Sequence, residues 1–110
     1  DNIKMNYRKY RNKDGLLHRD DSPAVEHPDG SKEWWVHGKR HREGGPAIEW
    51  SDGSKYWYIN DKLHREDGPA IECHRSKEWW INDINISMIK NIFKEMELDG
   101  HYYHHIIKYI

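Results

Sequence analysis

Three short stretches of the chain set a histidine, an arginine and a carboxylate side by side: His18-Arg19-Asp20, His41-Arg42-Glu43 and His64-Arg65-Glu66. An imidazole that takes a proton, a guanidinium that holds a phosphate and a neighbouring carboxylate would suit general acid–base attack on a phosphodiester. Their recurrence argues for a different role. A reacting centre is needed once, whereas a set repeated at a fixed interval solves a problem that every copy shares. His18, His41 and His64 are 23 residues apart, and so are Pro23, Pro46 and Pro69. The clusters are therefore read as structural. Each arginine is expected to reach a carboxylate such as Glu26, Glu49 or Glu72 in a bidentate pair, and each imidazole to stack between neighbours while donating to a carbonyl.

Two other groups invite chemistry. His101, His104 and His105 would share a helical face and could approach Zn²⁺, but no cysteine or carboxylate at matching spacing completes a site. Cys73 has no local base and reads as a small strand residue. No catalytic residue, metal or cofactor is expected.

The elements that must position these residues follow from the period. Trp34 and Trp57 are 23 residues apart, but Trp57 and Trp79 only 22. The slip lies between Glu72 and Ser76, where "HPDGSKEWW" and "WSDGSKYWY" become "CHRSKEWW". Each copy reads as a β-hairpin. Ala47 to Trp50 is a strand, Ser51-Asp52-Gly53 a turn, Ser54 to Ile59 a second strand, and Asn60-Asp61-Lys62 the next turn. The stretch "LHREDGP" is an irregular link in which Gly68 can take a positive φ and Pro69 fixes its own. Ahead of the first full copy, "YRKYRNKDGLLHR" resembles "SKYWYINDKLHR" and reads as a half-copy.

Alternation divides the second strand of each copy. One face takes Lys32, Trp34 and Val36, then Lys55, Trp57 and Ile59, then Lys77, Trp79 and Ile81. With Val25, Ile48 and Ile71 opposite, this face is expected to be the core, and Trp34, Trp57 and Trp79 are counted with the structural repeat residues. The other face takes Glu33 and Trp35, Tyr56 and Tyr58, Glu78 and Trp80, beside Glu26, Glu49 and Glu72. These six aromatic and acidic residues are the candidate binding surface, since Trp and Tyr concentrate binding energy at interfaces. After Trp80 the pattern turns helical. Ile89, Ile92, Phe93 and Met96 form one stripe, with Asp83, Asn85 or Ser87 to cap it and Asp99-Gly100 to end it. Tyr103, Ile106, Ile107 and Ile110 repeat the stripe. The fold class is thus α+β: a single domain with an N-terminal half-repeat over 1–22, an antiparallel sheet of three 23-residue hairpin repeats over 23–82, and a C-terminal helical cap over 83–110.

Composition bounds the rest. Only 35% of the 110 residues are hydrophobic, and six Trp and seven Tyr supply much of the apolar mass. A fully buried aromatic removes about 150–250 Å² from water, worth roughly 4–6 kcal/mol before entropy is subtracted. A few such rings can replace many aliphatics in a thin sheet. A net charge of −1 with both signs interleaved argues against nucleic acid as a partner. No apolar run approaches the ~20 residues that span a bilayer. The single cysteine and the lack of a visible signal peptide point to a reducing, cytoplasmic compartment, that of the host if the protein is viral.

The chain resembles MORN-type repeat proteins, which are also built of successive β-hairpins of about this length. The stretch "DGSKEWWVHGKRHREGG", residues 29–45, carries the closest match to their Gly-Lys-Arg-His-Gly signature. It also resembles the His-Arg, Asp-Gly-Pro-Ala variants found in proteins of large phages and giant viruses. The resemblance covers roughly residues 15–82. It departs from the MORN pattern where Arg follows His and where Trp-Trp replaces the aromatic-x-Gly step, so the lipid binding attributed to some MORN proteins is not carried over. The expectation is a non-enzymatic protein-binding module, with a viral accessory protein that inhibits a host defence factor implied by the resemblance alone. A homodimer joined through an unpaired edge strand is a further expected partner. A nucleotide-binding sponge and a small hydrolase or nuclease are the alternative readings.

Overall fold

The computed structural model describes residues 6–95 together with Lys108 and Ile110. The molecule measures 55 × 30 × 17 Å, a slab little thicker than one sheet with its side chains. Seven short strands form an antiparallel sheet in the spatial order Arg8–Lys9, Val25–Glu26, Lys32–Glu33, Ile48–Glu49, Lys55–Tyr56, Ile71–Glu72 and Lys77–Glu78. Along one side run three small hairpins: Trp35–Val36 with Lys39–Arg40, Tyr58–Ile59 with Lys62–Leu63, and Trp80–Ile81 with Ile84–Asn85. An isolated bridge between Arg11 and Leu17 extends that row towards the N-terminus. One α-helix, Ser87–Glu95, follows the last hairpin. Among the described residues no helix is long and apolar enough to cross a membrane.

The chain passes from sheet to hairpin at a single aromatic residue each time. The N–H groups of Tyr10, Trp34 and Trp57 donate to the carbonyls of Ala24, Ala47 and Ala70 on the adjacent sheet strand. Their carbonyls accept from the N–H groups of His18, His41 and His64 at the end of the hairpin. Each of these corner residues therefore holds two ladders at once. The three alanines facing them are fully buried, which leaves room for the large ring above.

Over each corner ring lies an arginine. The guanidinium carbons of Arg19, Arg42 and Arg65 stand 3.9, 3.8 and 3.9 Å from the ring centroids of Tyr10, Trp34 and Trp57. Nη1 of each donates to the carbonyl of Pro23, Pro46 or Pro69 at 3.2, 3.1 and 3.0 Å. The same Nη1 lies 4.0, 3.1 and 2.8 Å from Glu26, Glu49 and Glu72. These are single contacts through one nitrogen, where the sequence suggests a two-point pair. The loosest belongs to Arg19, and Ser22 stands where the other two loops have Gly45 and Gly68. A Cβ at either glycine would come within 2.9 Å of Arg42 Cζ or 2.7 Å of Arg65 Cζ.

The histidines hold successive hairpins together, with the opposite hydrogen-bond polarity to that expected. The Nδ1 atoms of His18, His41 and His64 accept the backbone N–H groups of His37, Asn60 and Asn82 at 2.9, 3.0 and 3.1 Å. Those residues open two-residue turns whose central positions both have positive φ: His37-Gly38, Asn60-Asp61 and Asn82-Asp83. Such turns match the twist of a hairpin, and Asn, Asp and Gly adopt them at least cost.

The opposite side of the sheet turns on a different geometry. Pro28-Asp29-Gly30 and Ser51-Asp52-Gly53 are three-residue turns with Gly30 and Gly53 at φ 93° and 92°. They are closed by His27 to Ser31 and by Trp50 to Ser54. A two-residue Asp-Gly turn would have set Val25 across from Trp34. The extra residue shifts the register by one, so Val25 pairs with Glu33 and Ile48 with Tyr56. This corrects the assignment made from alternation alone. Val25, Ile48 and Ile71 share the face of Glu33, Trp35, Tyr56, Tyr58, Glu78 and Trp80, whereas Glu26, Glu49 and Glu72 share the face of Trp34 and Trp57. The one-residue slip is absorbed at the same side, where Cys73 and Ser76 close directly over His74-Arg75 and keep Ile71 opposite Glu78.

At the C-terminal end the corner pattern is completed by other groups. The Trp79 N–H donates to Ser87 Oγ at 3.0 Å, and its carbonyl accepts from the Ile86 N–H. Asn85 Oδ1 accepts the Ser87 N–H at 3.0 Å and caps the helix. Hairpin pairing thus runs to Asn85, and the helix starts at Ser87. Ile81 and Ile86 form a buried cluster with Trp79, Ile89 and Ile110 against it, while Ile92 is 43% exposed, so only part of the expected stripe turns inward. Met96, Asp99-Gly100, the histidines at 101, 104 and 105, and the second stripe except Ile110 lie outside the described residues.

Two outcomes are expected. Gly68→Ala should lower stability by about 1 kcal/mol in urea denaturation, because the new Cβ displaces the Arg65 guanidinium. In an Arg65→Met background the same change should cost markedly less, and an equal cost in both would refute the account. Second, long-range ¹H–¹⁵N correlation spectra at neutral pH should place the ring proton of His18, His41 and His64 on Nε2, since Nδ1 is an acceptor.

Candidate functional site

With the register fixed, the six residues proposed as a binding surface do lie on one face, and all six are half-buried. They recur down three hairpins because alternation carries Glu33 to Trp35, Tyr56 to Tyr58 and Glu78 to Trp80 on the same side of a strand. The first and third pairs are built alike. The Trp35 indole N–H donates to Glu33 Oε1 at 2.8 Å, and the Trp80 indole N–H donates to Glu78 Oε1 at 3.0 Å. The second oxygen of Glu33 lies 2.5 Å from His27 Nε2. The middle pair is built differently. The Tyr56 hydroxyl lies 3.6 Å from Cys73 Sγ.

Residues that the sequence reading did not single out complete this face. Arg40 lies between two rungs, its guanidinium carbon 4.2 Å from the Tyr58 ring centroid and 5.9 Å from that of Trp35. Its Nε donates to Asp61 Oδ1 at 2.5 Å. The His27 ring has Tyr7 at 4.9 Å and Trp50 at 5.8 Å between centroids, both edge-on. Trp50 is 38% exposed and Tyr7 55%. His27, Trp50 and Cys73 occupy the same place in successive copies, just before the turn, so aligning the copies by strand end was the available signal. For Arg40 the signal was a break in the repeat, since Leu63 stands at the equivalent position.

The surroundings alter two phenols. The hydrogen bond to Cys73, then burial, push Tyr56 up to about 12. Burial raises Tyr58 from its ordinary value, against the opposing pull of the Arg40 guanidinium.

The residues first considered for catalysis lie on the other face and are occupied. Nδ1 of each histidine is engaged by a backbone N–H, and each guanidinium sits over a ring. The imidazoles keep only Nε2, which faces Asp20 at 3.2 Å in the first cluster and Glu66 at 3.1 Å in the third. Among the described residues no group of three or more His, Cys, Asp or Glu side chains is arranged to hold a metal ion. Comparison with known proteins returned no matching family model, no matching curated sequence and no matching solved structure.

The Tyr56 environment has a measurable consequence. Its folded value stands above the ordinary tyrosine value of about 10, so the neutral phenol is the form that folding favours. The stability it contributes is present below pH 10 and is lost as pH rises towards 12. Absorbance titration should show late tyrosine ionisation to which Tyr56 and Tyr58 both contribute. Tyr56→Phe should remove the Tyr56 part of it and flatten the alkaline loss of stability, and an unchanged late amplitude would assign it elsewhere.

Proposed function

We propose that this chain is a non-enzymatic, protein-binding repeat scaffold. In this reading three 23-residue hairpin units follow an N-terminal half-unit, and the helix from Ser87 closes the array as a cap. The recurrence of the corner aromatic, its arginine, the proline carbonyl and the alanine supports that division, and it accords with the MORN-like resemblance. The surface offered to a partner is the face of Glu33, Trp35, Tyr56, Tyr58, Glu78 and Trp80.

One observation carries the choice of face. The indole N–H groups of Trp35 and Trp80 already donate to glutamates of their own strands. A partner can therefore remove these rings from water without leaving a buried donor unpaired, an omission that would cost about 1–3 kcal/mol per group. Large rings with satisfied polar atoms, held on a rigid sheet, are the kind of surface on which binding energy concentrates. The engagement of the histidines and arginines by the fold supports a role other than catalysis. A cytoplasmic viral accessory protein that inhibits a host factor is the biological setting suggested by the resemblance.

The test is an affinity pull-down from a host-type lysate with the wild-type chain and a Trp35→Ala/Trp80→Ala variant. The expected result is one dominant protein, retained by the wild type and lost by a variant whose circular dichroism and Tm show it folded. Capture that survives in the folded variant would remove this face from consideration. Equal capture of the chain's own tagged copies would favour the homodimer.

A further inference from the structure

The last strand of the sheet differs from its equivalents by one neighbour. Lys32–Glu33 lies between Val25–Glu26 and Ile48–Glu49, and Lys55–Tyr56 lies between Ile48–Glu49 and Ile71–Glu72. In both, the lysine has a glutamate on either side and the residue after it has an aliphatic on either side. Lys77–Glu78 has Glu72 and Ile71 on one side, and among the described residues no strand lies on the other. The serine before each lysine shows the same difference. Ser31 and Ser54 are 1% and 8% exposed, whereas Ser76 is exposed. The Ser31 hydroxyl accepts the N–H of Ser51, two residues beyond the glutamate of the next strand, at 2.8 Å.

One residue of this edge directs its backbone outward. Cys73 and Ser76 exchange both main-chain hydrogen bonds. In the alternation of an antiparallel ladder Glu78 then bonds inward to Ile71, and Lys77 points its N–H and C=O away from the sheet. Trp79 directs its N–H the same way, but Ser87 Oγ accepts it. Lysine often guards an edge against pairing. Here it is the residue of every copy, and at Lys32 and Lys55 it sits within the ladder, paired on both sides.

These neighbours define what the edge can take. An antiparallel strand beside it would set a carboxylate opposite Lys77 and an aliphatic residue opposite Glu78, as Glu49 and Ile48 stand opposite Lys32 and Glu33. It would begin at the aliphatic residue, because Ser87 fills the role that the carbonyls of Ala47 and Ala70 play elsewhere. Two residues past the glutamate its N–H would reach Ser76 Oγ. A second copy of the chain does not supply such a strand. Its Val25–Glu26, Ile48–Glu49 and Ile71–Glu72 are each paired on both sides. Its first edge, Arg8–Lys9, brings two cations, and its own last edge would set Lys77 or Arg75 against Lys77.

We infer that the last strand accepts an extended segment of a partner protein, an aliphatic residue followed by glutamate, which extends the sheet by one strand. Neither Trp35 nor Tyr58 takes part, so the edge can bind whether or not the aromatic face does. The probe is acetyl-Ile-Glu-Trp-Ser-amide, the sequence of residues 48–51, titrated into the full chain and followed by ¹H–¹⁵N spectra. The comparison peptides are Ile-Lys-Trp-Ser and Glu-Ile-Trp-Ser, capped in the same way. Saturable shifts centred on Ser76, Lys77 and Glu78 are expected with the probe, with Arg8 and Lys9 unmoved, and each comparison peptide should bind about fivefold more weakly. Lys77→Glu should reverse the preference between Ile-Glu and Ile-Lys. Lys77→Pro removes the outward N–H and should abolish binding, while unchanged Ala24 and Ala47 amides show the sheet intact. No saturable shift, equal affinity for the three peptides, an unchanged preference in Lys77→Glu, or binding retained by folded Lys77→Pro would each overturn the inference. Shifts at the same residues on concentrating the chain without peptide would overturn it in favour of a second copy.

Discussion

A guanidinium centred over a corner ring is the contact on which the rest of this structure depends. A sheet without a second layer cannot bury its large side chains by stacking against a partner sheet or a row of helices. The chain instead covers each corner ring from within, by an arginine that follows eight or nine residues later. The energy of one such stack is modest, about 0.5–2 kcal/mol. Its value is geometric. The same side chain ties the ring to a proline carbonyl and a strand glutamate, and so fixes the link between one hairpin and the next sheet strand. The small residues around it follow from that requirement. Ala24, Ala47 and Ala70 leave room for the ring, and Gly45 and Gly68 leave room for the arginine.

From this arrangement the two faces acquire different characters. On the corner side the histidine Nδ1 and arginine Nη1 atoms of the repeated cluster are engaged by the fold, and exposed carboxylates and lysines face solvent around them. On the other side the aromatic residues of three hairpins form one band, in which the indole N–H groups of Trp35 and Trp80 donate to glutamates of their own strands. Arg40 interrupts that band between Trp35 and Tyr58, which makes the middle of the face more polar than a strict repeat would.

Much of this was legible in the residues. The antiparallel hairpins and the separation of Trp34 from Trp35 follow from spacing and alternation. The pairing of faces did not, because it hangs on whether Asp29-Gly30 closes a turn of two residues or three, and both kinds favour Asp and Gly. The histidines were expected as donors to carbonyls, whereas they accept from the turn N–H groups. Only the stacking of neighbouring hairpins brings His37, Asn60 and Asn82 over them, and no local pattern announces it. The C-terminal helix was readable from its stripe. Its substitution of Ser87 for the missing alanine carbonyl was not, since that depends on where the last hairpin ends.

The three-residue turn also governs how such a chain can change over generations. Its glycine stands outside the ladder, so losing one residue there, as at His74-Arg75, tightens the bend and leaves every face where it was. Three of the hairpin turns have less slack, because His37, Asn60 and Asn82 are each held by the histidine of the preceding hairpin. The first hairpin, which no histidine precedes, carries one extra residue at Lys13-Asp14-Gly15. Copies of this unit can drift in length while their chemistry stays aligned.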